Sequence, residues 1–448
     1  LFWFVGLLGA CSPSPGGESG GNGVEIRLGT AGMESVLLAE WETETARADR
    51  LLVRFGDESF EIVESTPKTA HRVPLVGVPA NTEVRVELIQ EGAAVAEAVG
   101  ATGALPAWVP RLEVNAELSG RVEPGLTAVV IASGGGKAGG VLLLDAAARV
   151  VWSYPAEDAG VDLAFRARLS LDGQAVLFNT LAPDAVQPGP IHRVSLIDGS
   201  LETLSVRGGH VDFVEPEPGV VASLGWDIRE VEGRLILGDT LIERATDGTE
   251  RVIWNVWDHF SPDLSVSWPT LYIADPTVED WSHVNGLSYA ADEDAFYLSM
   301  TFIEGVARID RASGTMSWVL AQSEGDLVPE DAGALSYPHS AERLADGGLL
   351  VFNRGVATER DQPAFVTEFS LDEAGGSAAT RWQYRDPEGV WVNNFGSAQR
   401  LPGGNTFVCW GSAGLLDEIT PEGEIASRVA APVGMAFGFA SRHPPLTW

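Results

Sequence analysis

Arg343-Leu344-Ala345-Asp346-Gly347 runs into Leu349-Leu350-Val351-Phe352, and Arg400-Leu401-Pro402-Gly403-Gly404 runs into Phe407-Val408-Cys409-Trp410. Each stretch reads as a short strand, a tight turn and a very apolar strand. A third copy is Arg168-Leu169-Ser170-Leu171-Asp172-Gly173 before Val176-Leu177-Phe178. The unit is completed by a hairpin whose second strand often carries Trp. That hairpin recurs at 141–152, 192–199, 241–254, 306–318, 366–382 and 415–423. Four strands per unit and six units describe an all-β chain whose main body is a six-bladed β-propeller. Almost no stretch has the 3.6-residue period of a helix, which disfavours parallel α/β folds. The apolar stretch 435–439 is a candidate for the strand that closes the ring. Trp152, Trp254, Trp318 and Trp382 recur at one place in the repeat and are read as blade packing.

Upstream of the repeats, residues 24 to about 91 alternate apolar and polar in short runs, as in Val84-Arg85-Val86-Glu87-Leu88, the period of half-buried strands. This segment resembles a fibronectin type III β-sandwich, on Trp41 and the stretch 73–82. The expected organisation is 1–23 export signal and linker, 24–110 small β-sandwich, and 111–448 propeller. His71, alone in the sandwich, is read as an ordinary surface residue.

The first ten residues are apolar and end in Leu8-Gly9-Ala10-Cys11, followed by a Ser/Pro/Gly-rich run. Small residues before a cysteine suit cleavage by a signal peptidase, with acyl chains on Cys11 then inserting in a membrane. The expected location is the bacterial cell envelope, as a membrane-anchored lipoprotein facing the periplasm or the cell surface. With 63 acidic against 29 basic residues the formal charge is −34. That repels nucleic acid, so no nucleic-acid partner is expected. The second cysteine, Cys409, is left without an intramolecular disulfide partner.

Phasing the repeats places Phe165, His339 and Phe395 at one position, seven residues before the Asp or Pro of the first turn. His210 and His283 fall at about the same place in two further copies. The innermost strand of a blade lines the channel, so these residues should ring one mouth of it. Imidazole suits nucleophilic, acid–base or metal chemistry near neutral pH. Three imidazoles around one point with ligand distances of roughly 2.0–2.1 Å would instead mark a zinc-type site. Asp292-Glu293-Asp294 lacks the spacing of a calcium loop and is read as a solvated turn. Gly134-Gly135-Gly136-Lys137 lacks the order of a phosphate loop and is read as a hairpin turn.

From about residue 125 onward the chain resembles the bacterial arylsulfate sulfotransferase family. The stretches that carry this are 255–260, Asp280-Trp281-Ser282-His283-Val284-Asn285, 296–318, and Pro338-His339-Ser340-Ala341 with Arg343-Leu344. The resemblance implies an exported propeller that moves a sulfuryl group from an aryl sulfate donor to a phenolic acceptor, without cofactor or metal. It implies that His339 is the nucleophile and forms a sulfo-histidine. His283 and His210 would assist catalysis, and Asn285, Thr301, Trp281 and His259 would contact substrate. Two departures stand out. The family's Ser-Ser-Arg, whose arginine holds the sulfuryl group, aligns with Ser299-Met300-Thr301, and its His-His-Asp with His210-Val211-Asp212. Losing one oxyanion donor is worth roughly 3 to 4 kcal/mol. Arg308, Arg311 and Arg354 are candidates to replace it, each otherwise a surface residue. The alternative is a propeller that has lost transfer and serves as a cell-surface binding or scaffold module.

Overall fold

The computed structural model describes residues 23–446 except 116–117, 134–138, 162, 269–274, 276, 324 and 356–361. The stretch read as an export signal with Cys11, and the one at 134–137 read as a hairpin turn, lie outside the described residues. Among those residues helix is confined to four short 3-10 segments, and the chain is otherwise strand and turn.

The N-terminal segment forms two sheets. Arg27–Thr30, Leu37–Arg47 and Lys68–Pro74 make a three-stranded one, and Glu58–Val63, Arg50–Phe55, Glu83–Gln90 and Ala93–Ala101 a four-stranded one. Alternation does the folding here, since Val84, Val86 and Leu88 are buried while Glu83, Arg85 and the other outward positions face water. The same alternation corrects the reading of His71. It shares a strand face with Val73, is 1% exposed, stacks on Trp41 at 4.6 Å, and sets Nδ1 2.7 Å from Glu64. A period-two count from Val73 would have placed it inside.

Among the described residues the rest of the chain makes six sheets, called here blades 1 to 6, antiparallel except for short parallel additions at 278–280 and 328–329. Blade 1 comprises Met435–His443, Leu126–Ser133, Gly139–Leu144 and Val150–Pro155, ordered from the axis outward. The innermost strands of blades 2 to 6 are Ala167–Leu169, Gly209–Glu217, Val284–Ala290, Pro338–Arg343 and Ser397–Arg400. Neighbouring blades meet in cyclic order, so the ring is closed. Closure comes from the C-terminal strand, as the apolar run 435–439 suggested: Phe437 pairs with Ile131 and Arg442 with Thr127. Glu113–Asn115, arriving from the sandwich, adds an edge to blade 6 through Val114 and Val429. Both ends of the propeller segment are thereby tied to the ring. Phe437 and Phe439 are fully buried in the closing strand, each worth roughly 1.5–3 kcal/mol.

The recurring tryptophans have a common setting. Trp152, Trp254, Trp318 and Trp382 pair with Leu143, Leu241, Arg308 and Glu368, and in each case the register slips by one residue at the next pair. A bulge at that point sharpens the twist of the outer strand. Cys409 is buried with Sγ 3.0 Å from the Gly438 carbonyl, and burial pushes its thiol up to about 12. Glu293 departs from the solvated-turn reading. It sits in the turn between strands of blade 4 but accepts from Tyr297 (2.5 Å), Arg308 (3.0 Å) and Arg343 of blade 5 (2.7 Å). These donors, working against burial, hold its carboxyl down at about 2.

Candidate functional site

The histidines singled out by phase lie at the start of inner strands, at one mouth of the channel. His339 falls in a bulge between the pairs Pro338–Asn353 and Ser340–Phe352. A bulge re-aims a side chain out of the regular alternation. The ring is 3% exposed, with Nδ1 3.2 Å from the Gly396 carbonyl. A carbonyl only accepts, so Nδ1 carries the hydrogen and Nε2 keeps the lone pair. Burial, then the positive charges of Arg354 and His283, hold this imidazole well below the ordinary histidine range. It is therefore neutral near pH 7. Gly286 of blade 4 packs against its backbone so closely that a Cβ there would stand 2.5 Å from the His339 carbonyl oxygen.

His283 immediately precedes its strand in the left-handed region, with φ +45°, and its Nδ1 is 2.6 Å from Asp280 Oδ2. Asp280 is fixed by parallel pairing to Leu237 in blade 3. Burial raises the pKa of this carboxyl, opposed by the His283 charge. His210 stacks on Trp226 at 4.9 Å and sets Nε2 2.9 Å from Asp239 Oδ1, outside hydrogen-bond geometry. Asp239 in turn accepts from Ser282 Oγ (2.6 Å) and Val284 N (2.8 Å). His210 and Asp239 face each other within blade 3, while the His283–Asp280 pair and the Asp239 contacts to Ser282 and Val284 join blade 3 to blade 4, beside His339 on blade 5. The phase count treated the three histidines as equivalent. The structure separates them: His210 pairs with Leu224, His283 lies just before its strand, and His339 occupies a bulge. No group of His, Cys, Asp and Glu among the described residues has the geometry to hold a metal ion.

Of the remaining sequence candidates, Asn285 and Thr301 lie against the histidine group, whereas Trp281 and His259 pack elsewhere. Thr301 is fully buried; its hydroxyl donates to the Pro338 carbonyl at 3.0 Å and accepts from Asn285 Nδ2 at 2.5 Å. Asn285 Oδ1 is buried with no hydrogen-bond partner. Trp281 is 3% exposed and packs in the core against Trp257, ring centroids 5.3 Å apart. His259 is exposed and stacks on Trp254 of an outer strand, so it does not join the inner-strand group. Of the arginines, Arg308 pairs with Glu293 and Arg311 with Glu243 and Glu217, whereas the charge of Arg354 reaches His339. Asp280, which holds His283, and Asp239, which faces His210, were given no role from sequence. The Asp three residues before His283 in the quoted motif was the available signal.

Phe165 and Phe395, in phase with His339, meet Phe439 across the channel. Phe395 lies 5.5 Å from Phe165 and 5.8 Å from Phe439, and His339 is 5.2 Å from Phe439. Beneath this layer the Arg166 guanidinium lies 4.0 Å from the Phe439 ring centroid and grips Asp212 with Nε and Nη2 at 2.7 and 2.6 Å. Asp212 also accepts from Leu287 N at 3.0 Å.

Residues 221–431 match the arylsulfotransferase family model. The match takes in His283, Asn285, Thr301 and His339 but not His210 or Arg166. The chain is 28% identical over 143 residues to the arylsulfate sulfotransferase AssT of Escherichia coli O6:H1 (strain CFT073), covering 25% of this chain and 24% of that protein. AssT of Lelliottia amnigena is 27% identical over 143 residues, with the same coverage. The chain thus spans about a quarter of the length of the curated relatives it matches. Among solved structures, the periplasmic gluconolactonase PpgL of Pseudomonas aeruginosa aligns with 14% identity and a TM-score of 0.41, over 71% of this chain and 99% of that one.

Proposed function

We propose that the chain is an exported aryl-sulfate sulfotransferase, anchored through Cys11, that works through a sulfo-histidine on His339. The observation that carries this reading is the buried, neutral His339 imidazole, with Nδ1–H turned to the Gly396 carbonyl and its lone pair left on Nε2. In the first step the Nε2 lone pair attacks the donor's sulfur and the S–O bond to the aryl group breaks. The phenolate leaves and takes a proton from the His283–Asp280 pair. In the second step the acceptor phenol gives its proton back to that pair, its oxygen attacks sulfur, and the N–S bond breaks. The Gly396 carbonyl stabilises the Nδ1–H of the sulfated ring. Arg354 supplies the charge that Thr301, its hydroxyl already engaged, does not give to the sulfuryl oxygens. The pairing of a three-stranded with a four-stranded sheet supports reading the N-terminal segment as a fibronectin type III-like spacer.

The phenylalanine layer favours a second reading. Phe165, Phe395 and Phe439 fill the channel beside His339, which suits a propeller that binds without transferring. Release of phenol from a chromogenic aryl sulfate, with and without a phenolic acceptor, separates the two. Acceptor-dependent turnover is expected, lost in His339→Ala, with a sulfuryl adduct on the His339 peptide when acceptor is withheld. A folded protein that turns over no aryl sulfate refutes the transferase reading.

A further inference from the structure

On the far side of the phenylalanine layer the channel opens into a cavity of about 600 Å³, lined by residues that follow the mouth residues along the same inner strands. Its size lies within the range of small-molecule sites, roughly 300–1,000 Å³. The charges on its walls are unevenly paired. Arg168 of blade 2 donates from Nε to the Phe213 carbonyl (2.9 Å) and from Nη2 to the Leu287 carbonyl (3.4 Å), and lies 3.6 Å from Asp212. Both Asp212 oxygens already take the fork of Arg166. One carboxylate between two guanidiniums leaves a positive charge unbalanced.

Glu342 stands three blades round the ring, on the opposite wall. Its Oε2 accepts from Arg400 N at 2.7 Å, and Oε1 has no hydrogen bond among the described residues. Arg168 and Glu342 influence each other's titration, yet among the described residues no contact within 4.0 Å joins them. Burial pushes Glu342 up to about 7 and Arg168 down to about 10. The neighbouring charges are spent: Arg400, whose charge acts on Glu342 more than that of Arg168, on Glu368, Arg343 on Glu293, Arg442 on Glu418, and Glu215 on the amides of Leu171 and Gly219. The cavity therefore presents one cation and one carboxylate on facing walls.

We propose that this mouth is a second ligand site, for a small zwitterion whose anionic group is taken by Arg168 and whose ammonium is taken by Glu342. A ligand of that kind gives Arg168 an anion it does not share with Arg166 and gives Glu342 Oε1 a donor, and a singly charged molecule supplies only one. The site is separate from the histidine mouth and stands independently of the reaction proposed there.

Calorimetric titration with para-(aminomethyl)benzoate and with ε-aminocaproate, two zwitterions of different stiffness, tests it against benzoate and benzylamine. At least one zwitterion should bind about tenfold tighter than either half-molecule, about one charge-assisted contact's worth. Arg168→Met and Glu342→Gln should each weaken it about tenfold. His339→Ala should leave it unchanged. Thermal melts establish that the variants fold, and if Arg168→Met does not, Glu342→Gln carries the test. The proposal is overturned if neither zwitterion binds, if binding survives Glu342→Gln intact, or if His339→Ala abolishes it.

Discussion

Replacing His443 by Gln should flatten the acid limb of the stability curve. His443 ends the strand that closes the ring, and its Nε2 accepts from Leu169 N of blade 2 at 3.2 Å. Burial, then the charge of Arg168, pushes its pKa down to about 3 from the model-compound value of 6.5. The unfolded chain therefore binds a proton on this ring below about pH 6.5, and the folded chain binds none until about pH 3. Between those limits the unfolded state holds more protons, so stability falls as pH falls, by up to about 1.4 kcal/mol per pH unit. The ring edge borders the open cavity, and water there lessens the penalty. The expected loss is about 2 kcal/mol between about pH 6.5 and about pH 4.5. Gln keeps an acceptor for Leu169 N without a titrating proton. Glu342, raised to about 7, acts with the opposite sign across this window, but it is common to both proteins and cancels in their difference. Urea unfolding of the propeller, followed by Trp fluorescence at several pH values, reads that difference directly. Wild type should lose about 2 kcal/mol more than His443→Gln over the window. Parallel curves would falsify the claim that this histidine is held neutral in the fold.

Glu293→Gln removes the carboxylate shared by Tyr297, Arg308 and Arg343, and should cost about 1–3 kcal/mol in chemical denaturation. Because its folded pKa is lowered to about 2, its contribution is present above about pH 4.5 and lost as pH falls toward 2. Wild type and Glu293→Gln should thus converge in acid. Phe439→Ala in the closing strand should cost about 3–5 kcal/mol, read as a lowered melting temperature. Asp280→Asn keeps the size of the group beside His283 Nδ1 but removes its charge; in the aryl-sulfate assay turnover should drop roughly 10²-fold while the melt moves little.

The architecture was legible because a propeller writes its period into the chain. The turn-and-strand halves at 343–352 and 400–410, with Trp at a constant phase, named the blade, and the apolar run at 435–439 named the closing strand. The site was legible only to the level of which strand begins with a histidine. Where each ring points depends on one-residue events, the bulge at His339 and the φ of +45° at His283, which leave no mark on hydrophobic period. The acids are a different failure. Asp239 lies on the third strand of blade 3, far along the chain from His283, and reaches the amide of Val284 only through blade packing. His71 stands two residues before Val73 on the same strand, so the alternation that buries Val73 buries it as well.

The two mouths of this channel are physically insulated from one another. Between them lie three interlocked phenylalanines and, beneath, a guanidinium gripped by both oxygens of Asp212. Side chains in such a layer are close-packed, so the two mouths are sterically divided. Asp212 nevertheless belongs to both sides. It follows His210 by two residues in blade 3, accepts from the Leu287 amide in blade 4, and is the carboxylate that Arg168 shares with Arg166 at the cavity floor. A ligand anion drawn to Arg168 would compete with this carboxylate for the guanidinium, leaving Asp212 more wholly to Arg166 and to the Leu287 amide. Leu287 lies on the inner strand of blade 4, which directly follows His283 in the chain. Asp212 is thus a contact shared by the two sites, and in Asp212→Asn any effect of bound zwitterion on aryl-sulfate turnover should be smaller than in wild type.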